Sequence, residues 1–136
     1  MQTVLAKIVA DKTIWVEARK QQQPLASFQN DIVPSQRDFY AALQGARTAF
    51  ILECKTAPPS KGVIRDDFDP ARIAGIYKHH ASALAVLTDA QHVPGSLAFL
   101  PIVSGTAPRS ILCKAFFVAT YPVSLARFYQ ADAGLL

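Results

Sequence analysis

Two short apolar runs in this sequence each end on a lysine, and this pattern limits the folds that the chain can adopt. The first run covers 50–54 and precedes Lys55, and the second covers 111–113 and precedes Lys114. Because burying an ammonium group without a partner is costly, such a lysine usually ends a strand and faces a site. The two lysines therefore predict a polar cavity above a sheet.

Apolar runs of strand length alternate along the chain with segments of helical periodicity. Strands are predicted over 49–54, 83–88, 110–117 and the last residues, 131–136; helices are predicted over 3–20, 35–43, 70–81 and 120–130, with a short or irregular helix, interrupted by Pro101, over 95–103. This alternation is typical of right-handed parallel βα units. It fits both a doubly wound sheet and a barrel, but no Gly-x-Gly-x-x-Gly or Walker pattern follows the first strand, which favours a barrel segment.

Length and composition indicate one globular domain, with an N-terminal helical extension over 1–47 and βα units over 48–136. The chain has 136 residues, of which 51% are hydrophobic and 18% charged. Its net charge of +4 comes from scattered basic residues, so we expect no nucleic-acid partner and favour a phosphorylated metabolite as the anion.

Cys54 and Cys113 are interpreted as small buried apolar residues. With no leader and no apolar run of about 18 residues, we expect a cytoplasmic protein and no membrane partner.

Several residues that could carry chemistry are predicted at carboxyl ends of strands, where a barrel site is built. They are Glu53, Lys55, Thr88, Asp89 and Lys114. Glu53 and Lys55 leave the strand on the same face, so they either bind one ligand together or form an ion pair that only secures the strand end. Lys114 has no acid near it in sequence, so its partner must come from elsewhere in the fold or from a ligand. A lysine beside another cation can act as a general acid near neutral pH.

Other candidate sites give weaker signals. Ser60 and Lys61 lie in a proline-rich loop after the first strand, where backbone N–H groups could contact an anion, although turn residues there also have purely local explanations. His79, His80 and His92 do not have the spacing of a zinc site. We therefore expect no metal and no cofactor.

The chain resembles indole-3-glycerol phosphate synthase, a (βα)8-barrel enzyme of tryptophan biosynthesis that has an extra N-terminal helical segment. The matching segments are 8–12, 50–55, 59–62, 68–70, 87–89, 111–114 and 129–133. The resemblance is strongest to the synthase half of the bifunctional form fused to phosphoribosylanthranilate isomerase. It implies a partial (βα)8 TIM barrel, a half-barrel of about three βα units plus the start of strand four.

The resemblance also implies roles for individual residues. Lys114 would be the general acid at the substrate carbonyl, Lys55 would pair with the substrate carboxylate, and Glu53 would hold the lysines and substrate in place. Ser60 and Lys61 would bind substrate. The family's strand-five glutamate and its phosphate-binding loops after strands seven and eight would lie beyond Leu136.

Departures from the family pattern replace polar or aromatic site groups by small or apolar ones. Pro58 stands where the family usually has serine, Ala115 stands where it has aspartate, and the loop 90–94 lacks the expected aromatic residues. We interpret the chain as an engineered or laboratory-evolved half-barrel that is non-catalytic alone. It would associate as a homodimer through its sheet edges and exposed inner face, or bind a complementing C-terminal half-barrel.

Two alternatives remain open from the sequence. One is residual or complementable synthase activity, shown by turnover that the lysine variants lack. The other is a small-anion binding module that keeps the lysines as a clamp, for which phosphate would raise the melting temperature.

Overall fold

The computed structural model describes residues 3–45, 47–54, 69–89 and 96–135 as an α/β fold. Its helices are α1 (Val4–Gln22), α2 (Leu25–Phe28), α3 (Phe39–Leu43), α4 (Pro70–Tyr77), α5 (Phe99–Thr106) and α6 (Tyr121–Phe128), with 3₁₀ turns at Gln29–Asp31 and Ser96–Ala98. Its strands are β1 (Ile51–Cys54), β2 (Ala83–Leu87), β3 (Ser110–Lys114) and β4 (Ala133–Gly134). Among these residues, no helix combines the length and the apolar character needed to cross a bilayer.

The four strands form one open parallel sheet in the order β1-β2-β3-β4, so each strand pairs with the next along the chain. The register places Glu53 opposite Ala85 and Ala85 opposite Leu112. Two residues further along the strands, Lys114 lies opposite Leu87. The carboxyl ends of all four strands therefore lie along the same side of the sheet, called here the carboxyl edge. The candidate site residues were predicted there.

One face of the sheet carries the apolar core. Alternation along the strands brings the side chains of this face into a single cluster with the helices: Cys54, Leu84, Val86, Ile111 and Cys113 from the strands, and Ala74, Leu100, Val103 and Ala126 from α4, α5 and α6. Because paired residues in register point to the same side, Glu53, Ala85, Leu112 and Lys114 share the opposite face. The strand pleat thus places Glu53 and Lys114 on the face of the sheet that points away from the core.

The first helices of the N-terminal extension pack against α6. Val16 and Phe28 are each 2% exposed and form a cluster with Tyr121 and Leu125. The Tyr121 hydroxyl donates a hydrogen bond to the Gln23 carbonyl oxygen at 2.7 Å. Apolar contact and this hydrogen bond together fix the end of α1 on the outer layer of the fold.

The later part of the extension crosses the amino end of the strands. The guanidinium of Arg37 donates to the backbone oxygens of Ser104, Ala107 and Arg109 at 2.9–3.3 Å. The Ser35 hydroxyl donates to Asp132 Oδ1 at 2.5 Å. The extension is therefore anchored near the start of β3 and β4 by polar contacts that the sequence pattern did not indicate.

Most predicted elements are confirmed, with ends that differ by a few residues. The predicted helices 3–20, 70–81 and 120–130 correspond to α1, α4 and α6, and Asp69 caps α4 by accepting a hydrogen bond from Arg72 N at 3.2 Å. Strand 83–88 corresponds to β2, and of 131–136 only Ala133–Gly134 pairs in the sheet.

Two predictions about individual elements were wrong in part. The helix over 95–103 is short and begins with the 3₁₀ turn Ser96–Ala98, as predicted, but Pro101 does not interrupt it, because it lies in the first turn of α5, where a helix needs no N–H donor. Strand 110–117 ends at Lys114, because the backbone N–H of Phe116 donates to the Asp89 side chain at 2.6 Å instead of to a neighbouring strand.

Candidate functional site

An ion pair connects the carboxyl ends of two strands that are not neighbours in the sheet. Lys114 Nζ, at the end of β3, lies 3.0 Å from Glu53 Oε1 on β1. The β2 residue in register with Glu53 is Ala85, whose methyl group leaves room for the two longer side chains to meet. The side chains of Lys114 and Glu53 remain 45% and 24% exposed. The pair is therefore accessible to a ligand above the sheet.

This contact gives Lys114 a partner from elsewhere in the fold, which is one of the two possibilities that the sequence left open. Lys114 has no acid near it in sequence, and the structure supplies Glu53 as its partner from elsewhere in the fold. The ammonium group can donate a proton or a hydrogen bond, while the carboxylate beside it holds it in place. Three predicted site residues, Lys55, Ser60 and Lys61, lie outside the described residues.

A second ion pair lies at the same edge of the sheet and is more deeply buried. Lys12 Nζ, from α1, lies 2.6 Å from Asp89 Oδ1, and the two side chains are 11% and 13% exposed. The Lys12 ammonium also lies 4.3 Å from the centre of the Trp15 ring. Asp89 was predicted at a strand end, but Lys12 was given no role, because a lysine in an amphipathic helix normally reaches solvent. The contact shows that α1 reaches the carboxyl edge of the sheet.

The end of β2 also fixes the end of β3. The backbone N–H of Thr88 donates to the Lys114 carbonyl oxygen at 3.2 Å. The Thr88 hydroxyl and the Cys113 thiol lie 3.4 Å apart, within hydrogen-bonding distance. Burial raises the pKa of the Cys113 thiol, which the hydrogen bond with Thr88 partly offsets. Cys113 therefore acts as a packed apolar residue rather than a nucleophile, as the sequence predicted.

Cys54 gives a testable pH dependence. Burial, helped by the nearby Glu53 carboxylate, raises the pKa of this thiol from 9.0 to about 11. Between these values the unfolded chain releases a proton that the folded protein keeps, so the free energy of unfolding falls as the pH rises through this window. The contribution is fully present below pH 9.0. Urea midpoints measured across the window should fall more steeply for the wild type than for Cys54→Ala. Equal slopes would contradict the burial argument.

His79 and His80 are not part of this site. His79 and His80 are exposed in the turn after α4, and His92 lies outside the described residues. Within the described ranges, no group of three or more histidine, cysteine or acidic side chains is arranged to hold a metal ion.

The sheet and its polar edge together define a class of protein. Parallel strands in sequential order, helices on one face and charged side chains at the carboxyl ends are the features of a (βα)8-barrel enzyme segment. The chain belongs to the indole-3-glycerol phosphate synthase family, whose sequence model matches residues 5–136. The predicted fold class, a partial (βα)8 TIM barrel, is thereby confirmed.

Similar proteins agree with this assignment. The chain is 74% identical over 136 residues to the tryptophan biosynthesis protein TrpCF of Salmonella typhi, covering 100% of this chain and 30% of the relative. It is 63% identical over 134 residues to TrpCF of Yersinia pestis, covering 98% and 28%. With TrpCF of Vibrio parahaemolyticus the identity is 54% over 136 residues, covering 100% and 28%. The chain thus spans about 30% of the length of these relatives.

Proposed function

We propose that this chain is a scaffold that carries the first part of an indole-3-glycerol phosphate synthase site and does not turn over substrate alone. The observation that supports it is the ion pair of Lys114 and Glu53 at 3.0 Å, formed at the edge where barrel enzymes build their sites. In this proposal Lys114 is the general acid at the substrate carbonyl. Glu53 orients it, and Lys55 pairs with the substrate carboxylate.

The proposed lack of turnover applies to residues 1–136 produced on their own. The described residues form a sheet of four strands, and a (βα)8 barrel draws its site from the ends of eight. The family glutamate on strand five and the phosphate-binding loops of later strands have no counterpart among these residues. Without them a bound substrate would lack its base and its phosphate contacts, so the rate should fall by many powers of ten.

Complementation tests this proposal directly. The chain would be mixed with a separately produced segment of the Salmonella typhi relative, beginning where the match ends, and indole-3-glycerol phosphate formation would be measured. We expect turnover from the mixture, called here the complemented synthase, and none from either part alone. Turnover by the chain alone would contradict the scaffold proposal. A mixture that binds but stays inactive would contradict the proposed site. A phosphate-dependent rise in melting temperature of an inactive chain would favour the anion-binding alternative.

We also propose that the isolated chain associates with a second copy of itself. Phe50 and Ile51, at the β1 edge, are 56% and 45% exposed, and Leu135, just after β4, is 50% exposed. Two copies related by a twofold axis would pair β4 of each with β1 of the other, giving the eight parallel strands that a barrel needs. Light scattering after size exclusion should give twice the 14.8 kDa chain mass. A compact monomer would contradict this pairing.

A further inference from the structure

We infer that Asp89 is a positioning residue for Lys114, and that Lys12 of α1 neutralises the Asp89 carboxylate. This inference rests on the proposed function, because it gives Lys114 a role in the reaction. It assigns the N-terminal helix a part in building the site at the carboxyl edge of the sheet.

The first step of the argument is that the two oxygens of Asp89 have different partners. Oδ1 accepts a hydrogen bond from Lys12 Nζ at 2.6 Å, and Oδ2 accepts one from the backbone N–H of Phe116 at 2.6 Å. The Asp89 side chain is 13% exposed, so little water can replace either contact. Loss of one partner would therefore leave a buried group unsatisfied.

The second step concerns the backbone around Lys114. The Lys114 carbonyl oxygen accepts a hydrogen bond from the backbone N–H of Thr88, and the backbone N–H of Phe116 donates one to the Asp89 side chain. Both contacts come from the end of β2. They fix the last residue of β3 and the start of the following loop, and so set the direction in which the Lys114 side chain leaves the strand toward Glu53.

The third step is electrostatic. Asp89 lies at the carboxyl edge of the sheet, as Lys114 does. It follows two residues after Leu87, which pairs with Lys114 in the sheet. A carboxylate there without its own cation would attract the Lys114 ammonium away from Glu53. Lys12 neutralises Asp89, which leaves Lys114 directed to Glu53 at 3.0 Å.

Paired substitutions separate the two contacts of Asp89 without leaving a buried charge alone. Lys12→Met with Asp89→Asn removes the ion pair but keeps an acceptor oxygen for Phe116 N–H. Lys12→Met with Asp89→Leu removes both contacts. The charge swap, Lys12→Asp with Asp89→Lys, restores an ion pair but offers Phe116 no acceptor. Lys20→Met is the matched control, since the pair of Lys20 with Glu17 lies on the surface with side chains 42% and 67% exposed.

Amide hydrogen exchange at Phe116, read by NMR in the full chain, is the first measurement. We expect exchange at least about tenfold faster in the Asp89→Leu pair and in the charge swap, but not in the Asp89→Asn pair or in Lys20→Met. In the same variants with fast exchange, nuclear Overhauser contacts between Lys114 and Glu53 side chains should be lost. The inference would be overturned if a folded sample of the Asp89→Leu pair showed wild-type exchange at Phe116 and kept the contacts between Lys114 and Glu53.

Kinetics of the complemented synthase give the second measurement. The Asp89→Leu pair should lower kcat by about tenfold while KM changes by less than about twofold, because the substrate contacts remain and only Lys114 is misplaced. Recovery of kcat by the charge swap would overturn the inference, since the ion pair alone would then suffice. If the complemented synthase is inactive in its wild-type form, the proposed function fails, and the NMR measurement still decides the placement of Lys114.

Discussion

Lys114→Ala is expected to lower kcat of the complemented synthase by about 10²- to 10⁴-fold, the range that a positioned general acid contributes. The reason is that the Lys114 ammonium lies half exposed beside Glu53 at the carboxyl ends of the strands, and the proposed function places the substrate carbonyl against it. The measurement is steady-state formation of indole-3-glycerol phosphate with both segments at saturating concentration. The free energy of unfolding of the chain should change little, because a partly exposed ion pair stabilises weakly.

Two matched variants separate proton transfer from charge. Lys114→Arg keeps a cation that can pair with Glu53, but a guanidinium does not release its proton near neutral pH, so kcat should stay low. Glu53→Gln keeps the side-chain shape and removes the charge that holds Lys114, so it should lower kcat by a smaller factor. If Lys114→Arg restores wild-type kcat, Lys114 acts only through its charge and the general-acid role is wrong.

Asp132→Ala is expected to lower the free energy of unfolding of the chain by about 3–5 kcal/mol, the cost typical of removing one partner from a buried charged network. The Asp132 side chain is only 5% exposed. Its Oδ2 accepts the backbone N–H of Ile111 at 2.8 Å, and its Oδ1 accepts the Ser35 hydroxyl at 2.5 Å and Arg127 Nη1 at 3.4 Å. One side chain thus connects the start of β3, the extension and α6.

Urea unfolding followed by circular dichroism measures this loss. Asp132→Asn keeps acceptor capacity and should lose less than Asp132→Ala, while Asp31→Ala, at an exposed position in the 3₁₀ turn, should lie within about 0.5 kcal/mol of the wild type. A loss below about 1 kcal/mol for Asp132→Ala would mean that water or a neighbouring group takes over its contacts.

The order and type of the elements follow from local properties of the sequence. The apolar run 83–88 is continuous because β2 is covered by its neighbours, with Ala83, Leu84 and Val86 fully buried. The Asp69-Pro70 pair gives α4 its cap and first residue. These signals depend on residues close together in the chain, so they are readable without the fold.

The partners of the charged residues follow from long-range packing. Glu53 and Lys114 come from strands separated by β2, and Lys12 and Asp89 come from an N-terminal helix and the end of a strand. A lysine at a strand end indicates a site, but its ion-pair partner depends on register and on the small side chain of Ala85 between the strands. No local pattern marks Lys12 as an ion-pair partner, because its neighbours in sequence are those of an ordinary surface helix.

The sequential strand order also bears on how this chain is made. Because each strand pairs with the one synthesised just before it, β2 can join β1 and β3 can join β2 while later residues are still inside the ribosome. The extension is synthesised before the strands, but Phe28 and Ser35 gain their partners only when α6 and Asp132 have been made. Translation should therefore build the sheet strand by strand and complete the apolar packing of α1 and α2 last, so a pause before residue 121 would leave Val16 and Phe28 without their partners on α6.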